Sequence, residues 1–170
     1  MLILQHPDEA RHPLNTARLA ALGLQRAELW VGETFPDLVE MIASADRVFL
    51  LFPAKGEHLG RTISIDSEPG ATLLIVPDGT WRKARKLLHT NPVLNALPRL
   101  SLSGGEPSEY RIRKAPAPAS ISTIEAIVRA LSVLEPGGDF QPLLQPFRAL
   151  VEQQIRAMGP DVYRRNYSSS

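Results

Sequence analysis

The chain has no cysteine. That excludes disulfides, thiolate metal sites and a cysteine nucleophile. It leaves the compartment open, since a cytosolic chain can simply do without cysteine. Charge of one sign is also scarce in excess: 19 Lys and Arg against 18 Asp and Glu leave a net charge of +1. A nucleic-acid surface must then come from local clustering, not from bulk charge. No apolar run approaches the about 20 residues that a membrane-spanning helix needs. The opening, Met1-Leu2-Ile3-Leu4-Gln5-His6-Pro7, has no basic leader and meets a histidine and a proline too early for a signal peptide, so a cytoplasmic setting is expected. No segment repeats and no shift in composition marks a linker. What is present is 170 residues, 44% hydrophobic and 22% charged, the balance of an ordinary globular protein with one sizeable core.

Short apolar runs alternate with helical patterns. Strands are expected at 2–5, 27–31, 47–52, 71–77 and 99–103. Helices are expected from Asn15 or Thr16 to Leu22, from Phe35 to Ala45, over 81–89, from Ile121 to Leu134, and in a last region ending near Met158. Within the second helix Leu38, Val39, Ile42 and Ala45 share a face. Residues 47–52 are continuously apolar, as in a strand covered on both faces. The alternation predicts an α/β fold, a mainly parallel sheet flanked by helices. One domain over 1–160 is expected, with 161–170 as a C-terminal tail, frayed from Arg164 to Ser170.

The densest chemistry lies at Asp78-Gly79-Thr80-Trp81. An apolar strand ends there, turns and enters a basic helix within four residues. In open α/β sheets, ligands bind outside the carboxyl ends of strands. Gly79 permits positive φ or close approach to a ligand, and Thr80 is a plausible N-cap. The first N–H groups of the helix suit a carboxylate or phosphate, and Asp78 suits a base or an orienting group. The plainer reading is a Pro77-Asp78-Gly79 turn with a threonine cap, and Trp81 in the core with Ala84 and Leu88. The residues alone leave both open.

Two basic clusters are candidates for RNA phosphates: Arg82, Lys83, Arg85 and Lys86 on the outer face of the helix, and Arg111, Arg113 and Lys114 beside Tyr110 in the long loop 104–119. Each also reads as a solvated charged surface. Ser122 with Glu125 fits a capping box. The loop Lys55-Gly56 to Arg61-Thr62 has the wrong spacing for a phosphate-binding loop, with arginine in place of lysine, so a P-loop nucleotidase is rejected. His6, Glu9 and His12 straddle a proline-broken loop and share no helical face, so no metal is expected. His58 and His89 stand alone.

Taken together these residues resemble the DTW-domain family. Its Asp-x-Thr-Trp signature is matched at Asp78-Gly79-Thr80-Trp81. His6-Pro7-x-Glu9-Ala10 with Asn15-Thr16, Phe52-Pro53, and Arg113 followed by Ser122-Thr123-x-Glu125-Ala126 match further family motifs in order, from about residue 4 to 167. The resemblance implies a SPOUT-like fold with a C-terminal knot. It implies a tRNA-uridine aminocarboxypropyltransferase that uses S-adenosylmethionine to form acp³U and methylthioadenosine. Many family members begin with a cysteine-rich zinc-binding segment. This chain has none, so it belongs to a shorter branch or lacks that part, and zinc is not expected.

Under the resemblance, Asp78 is the candidate base. Leu51, Phe52, Pro53, Pro77, Gly79, Thr80, Trp81, Ser122, Thr123 and Glu125 are the candidate donor-binding residues, as the walls of one pocket built from three loops. Arg111 and Arg113 are candidates for either the RNA backbone or the donor carboxylate. A SPOUT-type RNA methyltransferase, a non-catalytic RNA-binding module and the same transferase acting on ribosomal RNA are the competing functions.

Overall fold

The computed structural model describes residues 1–53, 70–102, 106–112 and 121–167. The loop from Lys55 to Thr62 and the candidates Arg113 and Lys114 lie outside them. The chain forms two compact units, residues 1–102 and 103–170.

The first unit is a five-stranded sheet built from β1 (Leu2–Gln5), β2 (Glu28–Val31), β3 (Arg47–Leu51), β4 (Thr72–Asp78) and β5 (Arg99–Leu100). The strand order is β2-β1-β4-β3-β5, and every neighbouring pair is parallel. The expected parallel sheet is therefore present. Helices α1 (Thr16–Gly23), α2 (Leu38–Ala43) and α3 (Trp81–Thr90) connect its strands. The β2–β3 and β4–β5 connections run in one direction across the sheet, and the β1–β2 connection runs in the other. Right-handed crossovers then place α2 and α3 on one face and α1 on the opposite face.

The core on the α2 and α3 face confirms that placement. Leu2 and Leu4 of β1, Leu50 of β3, and Leu73 and Ile75 of β4 pack with Leu38, Leu87, Leu88 and Leu94. Alternation along the strands sends Ile3, Leu74 and Val76, also buried, to the other face.

Three expectations are corrected. The helix expected from Phe35 begins only at Leu38, because 35–37 form a turn in which the Phe35 N–H donates to Asn91 Oδ1. Of its apolar face, Leu38 is buried while Val39 is exposed. The fifth strand is two residues long, at Arg99–Leu100, where 99–103 was expected.

The second unit holds α4 (Thr123–Leu134), a 3-10 turn at Gln141–Leu144, α5 (Gln145–Met158) and α6 (Pro160–Tyr167). Helix α6 is the third correction, since a frayed tail was expected there. Gly159, at φ 83°, ends α5, and Pro160 starts the next helix at its first position. Tyr163 and Tyr167 stack one turn apart in α6, and Arg164 pairs with Asp161.

Candidate functional site

The crevice between β1 and β4 is a switch point of the sheet. From β1 the chain leaves toward β2, at one edge, and from β4 it leaves toward β5, at the other. In open parallel sheets such a crevice, at the carboxyl ends of the strands, is where ligands bind. Gln5 and Asp78, the last residues of β1 and β4, are register partners there.

Both are buried and polar. Gln5 Nε2 donates to Asp78 Oδ2 at 2.8 Å and to Asn15 Oδ1 at 2.9 Å. Asn15 Nδ2 returns a hydrogen bond to Gln5 Oε1 at 3.2 Å. Asn15 is also the N-cap of α1, its Oδ1 accepting from the Arg18 N–H. The His6 backbone N–H donates to the Asp78 carbonyl at 3.1 Å. The Asp78 carboxylate is thus held on the crevice floor.

Gly79 makes the turn out of β4 at φ 146°, and a Cβ there would lie 3.0 Å from the Lys83 Cβ. A glycine is required on both counts. Thr80 caps α3, its Oγ1 accepting from the Lys83 N–H at 3.4 Å. Trp81 is not a core residue, since it is 47% exposed. Its ring meets Phe52 edge-on at 5.7 Å, which brings the end of β3 beside the start of α3. Arg99 lies over the Phe52 ring and donates to the Pro53 carbonyl. Leu51 is buried at the end of β3, and Pro53 is exposed. So Leu51, Phe52, Pro53, Pro77, Asp78, Gly79, Thr80 and Trp81 gather at one end of the sheet.

The cations of α3 divide in two. Lys83 Nζ bonds Glu9 at 2.8 Å and lies 3.4 Å from Asp8, while Lys86 bonds Glu33 at 2.7 Å. The bond from Glu9 raises the Lys83 ammonium above its usual range, and the bond from Lys86 holds the Glu33 carboxyl below its own. Arg82 and Arg85 are exposed and form no ion pair among the described residues. His6, buried at the end of β1, accepts from the Asp8 N–H through Nδ1 and lies 3.1 Å from Glu33 through Nε2.

In the second unit Ser122 caps α4 with a full capping box. Glu125 is buried. Its carboxylate accepts from the Ser122 N–H and Oγ, the Ser108 Oγ and the Glu109 N–H, at 2.6–2.8 Å. It ties the segment 106–112 to α4. Thr123 is half-buried at the first position of that helix. Arg111 pairs with Glu152, and the Tyr110 ring packs edge-on against the buried Phe147.

Sequence reading found the Asp78 turn but missed Gln5 and Glu33. An apolar run ending in glutamine looks like an ordinary strand end. Only the register of β1 on β4 makes that glutamine a partner of Asp78.

The geometry defines an open, parallel α/β protein with a buried carboxylate and a capped helix start at the switch point of its sheet. A family model of the DTW domain matches residues 1–155, and the chain belongs to that family. It is 29% identical over 163 residues to tRNA-uridine aminocarboxypropyltransferase 2 of Drosophila melanogaster, covering 91% of this chain and 64% of that protein. It is 30% identical over 164 residues to the Mus musculus protein of the same name, covering 92% of this chain and 55% of that protein. To tRNA-uridine aminocarboxypropyltransferase A of Arabidopsis thaliana it is 27% identical, covering 94% of this chain and 72% of that protein. The chain therefore spans less than two thirds of the length of these animal relatives. No solved structure matches it.

Proposed function

We propose that this protein transfers the 3-amino-3-carboxypropyl group of S-adenosylmethionine to N3 of a uridine in tRNA. The carrying observation is the DTW turn itself. Asp78, buried and bonded to Gln5, stands beside the capped start of α3 at the switch point. The relatives' names support the activity and the substrate.

The residues of the first unit fit a donor that is part apolar and part carboxylate. Gly79 lets the chain turn at φ 146° from the end of β4 into the start of α3. Phe52 and Trp81 offer an aromatic step for the adenine or methylthio side. The first N–H groups of α3 suit the donor carboxylate. When bound, S-adenosylmethionine supplies an electrophilic carbon beside a sulfonium and leaves as methylthioadenosine. The protein's part in the chemistry falls to Asp78, which takes the N3 proton and makes the uridine nucleophilic. Holding base and nucleoside in line contributes at least as much, because the sulfonium is already a good leaving group.

Arg82 and Arg85, unpaired among the described residues, are the first choices for tRNA phosphates. Lys83 and Lys86 are already neutralised by Asp8, Glu9 and Glu33. The all-parallel sheet supports a SPOUT-like reading, and the C-terminal knot is proposed with it.

The test incubates the protein with S-adenosylmethionine and total RNA, and reads both products by mass spectrometry. Methylthioadenosine with acp³U in tRNA is the expected result. S-adenosylhomocysteine would make the protein a methyltransferase instead, and acp³ marks in ribosomal RNA would move the substrate. Donor binding absent from calorimetry would leave an RNA-binding module.

A further inference from the structure

We infer that Gln5 is the positioning residue for Asp78, part of a hydrogen-bond relay that runs from the start of α1 to the carboxylate. The inference rests on the proposed role of Asp78 as the base. Gln5 is 1% exposed at the end of β1, between β2 and β4. A buried primary amide is costly unless its groups are paired, and here both N–H groups and the oxygen are engaged.

The direction of the relay is fixed from both ends. The Arg18 N–H needs an acceptor, so Asn15 turns its oxygen to it. The same oxygen accepts from Gln5 Nε2, which sends the second N–H of Gln5 to Asp78. A carboxylate can only accept there, so it demands the same orientation. Neither amide can flip without setting oxygen against oxygen. Gln5 therefore holds Asp78 Oδ2 with a neutral donor, which favours the ionised form.

Several ionisable groups on the neighbouring elements are engaged with one another, while Arg82 and Arg85 of α3 form no ion pair among the described residues. His6, just after β1, lies against Glu33 and Asp8, Lys83 on α3 against Glu9 and Asp8, and Lys86 against Glu33. Gln5 thus acts on Asp78 as a dipole and a donor, and brings no charge of its own.

The test compares wild type with Gln5→Met, which keeps the volume and removes the donor, and with Asn15→Ser, which can still cap α1 but cannot orient Gln5. Asp78 is titrated by carbon NMR without ligand, and the pH profile of turnover is recorded. In Gln5→Met the Asp78 pKa and the acid limb of turnover should rise together, by about one unit for a lost donor, and in Asn15→Ser, where Gln5 keeps its donor but loses its second anchor, they should rise together by less. Turnover below that limb then falls about tenfold, while KM for the donor stays within about twofold. An Asp78 pKa unchanged in a folded Gln5→Met protein overturns the relay. If Gln5→Met does not fold, Asn15→Ser decides by the same two readings. Asp78→Asn separates the two claims: if it turns over normally, the base assignment fails whatever the Gln5 variants do. If it is inactive while both Gln5 readings stand still, only the relay fails.

Discussion

Asp78 occupies a position where sequence and topology give different information. Its place in a Pro77-Asp78-Gly79-Thr80 turn was legible, because glycine and threonine at a strand-to-helix junction each carry a known backbone role. Its burial and its bond to Gln5 were not, because residues 5 and 78 meet only through parallel pairing. Trp81 was misjudged in the plainer reading for a related reason. Helical spacing from Ala84 and Leu88 predicts a core position, but Trp81 is the first residue of α3, where the helix has just cleared the sheet. Asp78→Asn tests the proposed chemistry with little change of shape, since an amide oxygen can still accept from Gln5. The expected outcome is a protein with wild-type thermal unfolding and donor affinity, whose turnover falls about 100- to 10,000-fold. Nucleoside mass spectrometry of treated tRNA, beside calorimetry with the donor, reads both parts.

At the scale of elements, β1, β3 and β4 were legible because each holds a run of buried apolar residues, with only register left to the fold. Helix α6 was hidden by Gly159-Pro160, which reads as a stop although the same pair ends one helix and begins the next. The charge run on α3 was legible as a run but not as a division, since Asp8, Glu9 and Glu33 come from other segments. That division predicts unequal phenotypes. Under the proposed tRNA reading, Arg82→Ala and Arg85→Ala each weaken binding and reduce the salt slope of log K by about one. Lys86→Ala changes that slope less, because Glu33 already neutralises the ammonium. Equal slopes for all three variants, in filter binding across a salt series, would remove the distinction.

Helix α4 carries a second element-scale prediction. The capping box was legible from Ser122 and Glu125, yet Glu125 does more than cap, because Ser108 and the Glu109 N–H also donate to it. Glu125→Ala leaves several buried donors unpaired and removes the tie to residues 106–112. A loss of about 2–4 kcal/mol in urea unfolding is expected. Hydrogen exchange should quicken first in 108–112 and the first turn of α4. Glu125→Gln, which keeps an acceptor, should lose less.

For the molecule as a whole, the small net charge conceals a sorting of charges into local pairs, and this sets its response to acid. In the second unit Arg148 donates to both oxygens of Glu109. That hydrogen bond, foremost, holds the Glu109 carboxyl below its ordinary 4.5. A carboxyl lowered in the folded state adds stability that is fully present above its unfolded value and is lost as pH falls through its folded one. The window therefore lies below about pH 4.5. Both side chains are more than a third exposed, at 42% and 43%, so water screens the pair and its share stays at or below about 1 kcal/mol. Arg148→Met should lower the stability of α4 and α5, read by native-state hydrogen exchange or by urea unfolding, by no more than that at pH 7. The difference from wild type should close as the pH falls through the folded-state value of Glu109, because the carboxyl is then protonated in both proteins. A deficit that persists once Glu109 is seen by NMR to be protonated would place the effect in the packing of the arginine stem, not in its charge.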